Sequence, residues 1–158
     1  MKRKYDRHIE IDRQELLEYF TYTDGLLYNK KGVRAGGLDK TSGYRKVSFK
    51  NKRYMEHIII WLMFYDEIPS GYVIDHINYI SDDNRIENLR LASRSQSNQH
   101  RRGYKNYYLN KDNKYFVRVY LNRTPHVRGD FLTEKEAIEA ARQLRMELFG
   151  DFRGDFNG

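Results

Sequence analysis

The sequence predicts an α+β chain of two small modules. Three observations carry this: strand pairs around Asp24-Gly25 and Lys50-Asn51-Lys52, an apolar run from Ile58 to Tyr65, and an alternating stretch, Tyr115 to Leu121, ahead of one amphipathic helix. A length of 158 residues suits one ordinary domain or two small ones. Aromatic residues make up 15% of the chain, and their bulk supplies a core although 32% of the residues are charged. Having no cysteine, the chain has no disulfide framework, thiolate nucleophile or sulfur-ligated zinc. Its longest apolar run, Ile58 to Phe64, is far short of the roughly 20 residues of a membrane span. Met1 to Arg13 is charged throughout and lacks the apolar stretch of a signal peptide, so a cytoplasmic protein with no membrane partner is expected.

Each element follows in order. Asp12, with Glu15 three residues on and then Leu16, Leu17 and Phe20, reads as a capped short helix. Asp24-Gly25 between Phe20/Tyr22 and Leu26/Tyr28 reads as a hairpin. Gly36-Gly37 and Gly43 punctuate a loop, and Val47 and Phe49 share one face of a strand that Lys50-Asn51-Lys52 turns back through Arg53 to Glu56. Ile58 to Tyr65 is apolar on every side, a buried helix or strand between which periodicity does not choose. Val73 and Ile74 form a short extended piece into Asp75-His76, and a loop from Asn78 to Asn84 returns through Arg85 to Leu91. Ser93 to Arg102 has no apolar face of its own and is helical only where exposed or clasped.

Gly103 reads as the boundary, giving modules 1–102 and 103–158. Beyond it Tyr115, Val117, Val119 and Leu121 face one way and Phe116, Arg118 and Tyr120 the other. After a turn at Asn122 to Pro125, Val127 and Phe131 are expected on one face, with His126, Arg128 and Asp130 on the opposite one. Thr133 with Glu136 forms a capping box opening a helix with Ala137, Ala141, Leu144 and Leu148 on one stripe, ending at Gly150. A small three-stranded antiparallel sheet packed on one helix accounts for this module.

The net charge of +7 is unevenly spread: Lys/Arg against Asp/Glu number 12 to 7 over residues 1–50, 5 to 7 over 51–100 and 12 to 8 over 101–158. Basic flanks around a mildly acidic centre suit a protein that holds a polyanion and works with carboxylates in the middle. In that centre, Asp75-His76, Asn84-Arg85 and Asn88-Leu89-Arg90 gather carboxylate, imidazole and amide groups. One side chain of an Asp-His pair can bind a hard cation while the other takes a proton from water, and Asn can lock a loop by donating and accepting at once. A plain Asp/Asn turn is the competing reading of these residues alone.

Val73-Ile74-Asp75-His76-Ile77-Asn78, followed by Asp83-Asn84-Arg85-Ile86-Glu87-Asn88-Leu89-Arg90-Leu91-Ala92, closely resembles the core of HNH (His-Me finger) endonucleases of the phage and intron homing type. Gly43-Tyr44, Tyr54 and Glu56-His57 before the run ending near Trp61 resemble that family's lead-in, and the likeness covers about Tyr22 to Arg101. The resemblance implies a ββα-metal nuclease core, with N-terminal hairpins, that cuts DNA phosphodiesters. It implies His76 as general base, Asp75 as ligand of one divalent cation, Mg²⁺ or Mn²⁺, and Asn88 as the residue that pins the loop and orients the histidine. The family's usual Asn on the finger helix is replaced by Ser97, so Asn98 or His100 is expected to supply the second ligand. The alternative is a DNA-binding protein of HNH descent with a weakened metal site. His57 matches a family position but takes no chemical step, and His8 has no motif. A phage-encoded enzyme would act in the host-cell cytoplasm.

Gly103-Tyr104-Lys105, the Tyr115 to Leu121 strand, Gly129-Asp130-Phe131, Glu136-Ala137 and Glu147-Leu148-Phe149-Gly150 resemble the DNA-binding domain of Apetala-type (ethylene-response) regulators, with Phe116 near the place of that family's Trp. The resemblance implies a sheet lying in the major groove of double-stranded DNA. Arg118, Tyr120, His126 and Arg128, read as its outward face, and Arg123 at the turn are the expected DNA contacts. One site per chain implies a nicking monomer or weak dimer.

Overall fold

The computed structural model describes residues 11–100 and 105–152, so His8, Arg101, Arg102 and the Gly103-Tyr104 junction lie outside the described residues. The chain divides into two compact units, Met1–Arg94 and Ser95–Gly158, mixed α+β in both cases.

Local chemistry shapes the first unit. Asp12 caps α1 (Arg13–Tyr19), its carboxylate accepting from Gln14 N at 2.7 Å, and Leu16 is buried. β1 (Phe20–Thr23) and β2 (Leu26–Asn29) pair through a two-residue turn in which Asp24 and Gly25 have φ of 45° and 79°. Positive φ at both turn positions matches the right-handed twist of the strands, and Asp-Gly tolerates it. β4 (Arg45–Phe49) and β5 (Lys52–Met55) close in the same way through Lys50 and Asn51.

The stretch expected to be loop around Gly36-Gly37 is instead an edge strand, β3 (Gly36–Leu38), in a sheet of order β3-β4-β5. Glycine masks it because the backbone runs against a buried carboxylate: a Cβ on Gly36 would lie 2.7 Å from Glu56 Oε2. Glu56 is wholly buried and opens α2 (Glu56–Tyr65). Its carboxylate accepts from Leu27 N at 2.9 Å and pairs with Arg34, Nη1 to Oε1 at 2.7 Å and Nη2 to Oε2 at 3.0 Å. The apolar run is therefore a helix, buried on nearly every side through Ile59, Ile60, Trp61, Leu62 and Met63. These residues meet Leu16, Phe20, Leu27, Val47, Phe49, Ile74 and Leu89 in one core. Each such side chain stabilises the unit by roughly 1.5–3 kcal/mol on burial. β6 (Tyr72–His76) pairs antiparallel with β7 (Leu89–Ser93) in a two-stranded ribbon.

In the second unit, α3 (Arg94–Gln99) is a short polar helix with no buried residue. The division falls at its start, ahead of Gly103, because this polar stretch is tied to the last helix: Arg145 Nη2 donates to Gln99 O at 2.9 Å. β8 (Tyr107–Leu109), β9 (Tyr115–Leu121) and β10 (Thr124–Phe131) form a sheet of order β10-β9-β8, backed by α4 (Glu134–Phe149). The Thr133–Glu136 capping box is present, and Val117, Val119, Ala137, Ala141 and Leu144 form the core.

Register corrects one face. The β9–β10 turn is two residues long, Asn122 and Arg123, both with positive φ, rather than the longer turn expected through Pro125. Residues directly opposite on paired strands share a face, so each β10 side chain takes the face of its β9 partner. His126 stands opposite Val119 and Arg128 opposite Val117, so both lie on the helix side, where Arg128 Nη2 pairs with Glu147 Oε2 of α4 at 2.5 Å. Val127 lies opposite Arg118 and is exposed. An extra residue in β10 between Arg128 and Phe131 then returns Phe131 to the helix side, opposite Tyr115, so Val127 and Phe131 do not share a face. The outward face carries Tyr108, Phe116, Arg118, Tyr120 and Val127, with Arg123 exposed at the turn.

Candidate active site

The site is built where the β6–β7 ribbon opens into its connecting loop. Asp75 and His76 are the last two residues of β6, paired with Arg90 and Leu89, and both are buried. Alternation along a strand sends their side chains to opposite faces. Asp75 Oδ2 accepts from Arg90 Nε at 3.0 Å across the ribbon.

Asn88 holds the loop closed. Its Oδ1 accepts from Asn78 N at 3.0 Å, and its Nδ2 donates to Asn78 Oδ1 at 3.0 Å and Asp83 O at 2.8 Å. The backbone adds a bond from Ile77 N to Asn88 O at 2.9 Å. Asp83 is in turn forked by Arg85, with Nε at 2.8 Å and Nη2 at 2.7 Å, and accepts from Asn78 Nδ2. The Arg85 hydrogen bond leads the causes that hold the Asp83 carboxyl down at about 2. Tyr22 of β1 supports the far end, accepting from Ile86 N through its hydroxyl at 3.0 Å, and Ser81 Oγ donates to Gly43 O at 2.8 Å. The first hairpin presses on the same segment: a Cβ on Gly25 would lie 2.7 Å from Arg85 N and 3.0 Å from the carbonyl carbon of Asn84. Only glycine lets the two backbones come that close.

His76 Nε2 lies 3.0 Å from Asn84 Oδ1. His57, at the start of α2, sets its ring 5.0 Å from that of His76 at 83°, edge to face, and Tyr44 lies 5.9 Å from His76 and 5.5 Å from His57. Burial, with a smaller contribution from His76, pushes His57 down from 6.5 to about 3. Folded His57 is thus neutral across the range in which the unfolded residue takes up a proton. The unfolded chain binds more protons between pH 6.5 and about 3, so this stabilisation is complete above 6.5 and lost as pH falls. The expected loss is up to ~1.4 kcal/mol per pH unit. Urea unfolding midpoints measured down from neutral pH will show it, and His57→Phe will flatten the slope between 6.5 and about pH 5, above the range in which Asp83 and Asp39, with an ordinary value of 3.8, begin to take up protons in the unfolded chain.

Of the residues expected in the site, the ribbon and its loop bring together Asp75, His76 and Asn88. Asn98 and His100 belong to the second unit, where Asn98 is exposed and His100 is buried with its ring 6.2 Å from that of Phe152. Among the described residues Asn88 makes no side-chain hydrogen bond to the histidine it was expected to orient; its three side-chain bonds all go to the loop. Asn84, which does touch His76, was singled out by the sequence only as part of Asp83-Asn84-Arg85.

Among the described residues no three His, Cys, Asp or Glu side chains stand together as a metal cage. Asp75 offers a hard carboxylate, one oxygen of which is shared with Arg90. Mg²⁺ is commonly held by one or two carboxylates, with substrate phosphates and water completing its shell, so this donor fits such an ion and does not fit a soft or all-protein site.

The ribbon and its loop thus place a buried carboxylate and a buried imidazole on opposite faces of β6, next to a turn locked by asparagines. Residues 54–99, which contain this ribbon and loop, match the HNH endonuclease family. A mimivirus protein of Acanthamoeba polyphaga mimivirus, named as the uncharacterized HNH endonuclease L560, is 28% identical over 117 residues, covering 70% of this chain. The chain spans 61% of the length of that relative. The solved structure of the HNH homing endonuclease I-HmuI, concerned with DNA binding and cleavage, is 23% identical with a TM-score of 0.43, over 52% of this chain and 51% of that one.

Proposed function

We propose that the protein is a metal-dependent DNA endonuclease that nicks one strand, with His76 as general base. The observation that carries this reading is the buried Asp75-His76 pair at the end of β6, inside the stretch that matches the HNH family. His76 takes the proton of the attacking water, Asp75 holds one Mg²⁺ or Mn²⁺, and Asn88 keeps the loop in the shape that presents both. The cation, when bound, stabilises charge on the scissile phosphate and the leaving oxygen. With purified protein, supercoiled plasmid is expected to be relaxed to the open circle in Mg²⁺ or Mn²⁺ and to stay supercoiled in EDTA. Plasmid left supercoiled in every divalent metal would overturn the reading.

The second unit supplies the hold on duplex DNA, as the Apetala-type resemblance implies, through Arg118 and Tyr120 on the outward face and Arg123 at the turn. His126 and Arg128 are left out of this contact set because their register puts them on the helix side. Arg118→Ala is expected to weaken duplex binding by about 1–3 kcal/mol and to lessen its salt dependence. Arg128→Ala removes only the exposed pair with Glu147 and is expected to leave affinity unchanged. Binding isotherms at two salt concentrations separate the two variants.

A further inference from the structure

Two asparagines serve the loop, and they do different work. Asn88 uses its side chain on Asn78 and Asp83. Asn84 is 1% exposed and directs its Oδ1 to His76 Nε2 at 3.0 Å, while its Nδ2 has no hydrogen-bond partner among the described residues. A buried amide that leaves a donor unsatisfied is costly, so the one contact it makes is the reason to look for its role.

We propose that Asn84 is a positioning residue for His76: its amide oxygen fixes the neutral imidazole with the proton on Nε2 and leaves Nδ1 as the proton-accepting nitrogen. The inference rests on the reading of His76 as general base. An amide oxygen accepts and cannot donate, so only the Nε2–H tautomer completes this bond. The opposite tautomer would carry its proton on Nδ1, and that nitrogen would then have no lone pair for water. Once Nδ1 has taken a proton, the Nε2–H bond to Asn84 still stands, so nothing need rearrange during the transfer.

The surroundings suit a fixed ring. The backbone at Asn84 is backed by the Asp24-Gly25 turn, with no room for a side chain at Gly25. His57 and Tyr44 flank the His76 ring at 5.0 and 5.9 Å and stand in the way of its rotation. His57 adds no positive charge, since burial keeps it neutral.

The test compares Asn84→Ala and Asn84→Asp with the parent in two measurements on the full chain. The first is ¹⁵N NMR of the imidazole nitrogens above the pH at which they titrate, without metal or DNA. The parent is expected to show His76 protonated on Nε2, and Asn84→Ala to show a mixture of tautomers. The second is plasmid nicking, in which Asn84→Ala is expected to lower kcat about 10- to 100-fold with KM unchanged, the size of effect seen when a group that orients a reacting histidine is lost. Asn84→Asp, which keeps an acceptor oxygen, is expected to recover most of that rate. A parent His76 protonated on Nδ1, or an Asn84→Ala spectrum identical to the parent's, overturns the proposal. If His76→Ala nicks as well as the parent, the general-base reading falls instead, and the NMR result still decides whether Asn84 sets the tautomer.

Discussion

His76→Ala is expected to lower kcat for plasmid nicking by roughly 10²–10⁴-fold with little change in KM. The imidazole is the proton acceptor in the proposed reaction, and removing it leaves water to be deprotonated by solvent alone. In the proposed function binding is carried elsewhere, by basic and aromatic side chains of the second unit's sheet, so affinity for duplex is expected to survive. The fold should survive as well, because β6 keeps its ladder with β7 and its core residue Ile74. Loss of the ring leaves a hole between Asn84, His57 and Tyr44, and added imidazole is expected to restore part of the rate. Nicking at the parent's rate by His76→Ala would mean that another group activates the water.

The largest expected effect on stability lies at the buried carboxylate of Glu56. Arg34→Ala is expected to cost about 3–5 kcal/mol, the usual penalty for removing one partner of a buried pair. Glu56 would keep only its bond from Leu27 N, and a wholly buried carboxylate would be left without a counter-charge. Lys50→Ala is the contrasting case. Its pair with Glu15 is as short, at 2.6 Å, but both side chains are largely in water, so less than about 1 kcal/mol is expected. Urea unfolding of the three proteins at one pH compares them directly. Equal losses for the two variants would show that burial of Glu56 does not matter as argued.

Much of this was legible before any coordinates. Asp24-Gly25 and Lys50-Asn51 announce tight hairpins because few residues accept positive φ, and Thr133 with Glu136 announces a helix start because the two side chains cap each other. Asp75, His76 and Asn88 stand out through the resemblance to the HNH core, and the structure places them on one ribbon and its loop. What was not legible depends on partners distant in the chain. Ile58 to Tyr65 reads as helix or strand alike, being apolar on all sides, and only the packing around it decides. β3 hides behind Gly36, where a side chain would collide with Glu56, twenty residues further on. The face carrying His126 and Arg128 is set by the β9 residues they stand opposite, which alternation within one strand does not register. Asn84 and Arg90 stand in the central constellation without a role of their own, since their meaning lies in contacts with His76 and Asp75.

The tight seat of Gly25 against Asn84 and Arg85 bears on how the chain can be lengthened. A one-residue insertion at Asp24-Gly25 would reverse the alternation of β2, turning Leu27 out of the core and its backbone N–H away from Glu56, and would drive the turn into the segment that steadies His76. Insertions among Lys30 to Gly32, which are exposed turn residues, meet none of these partners. Tags, labels and grafted peptides therefore belong in that turn, while the Asp24-Gly25 turn and Gly43, whose carbonyl accepts from Ser81, are held to length by the loop that follows β6.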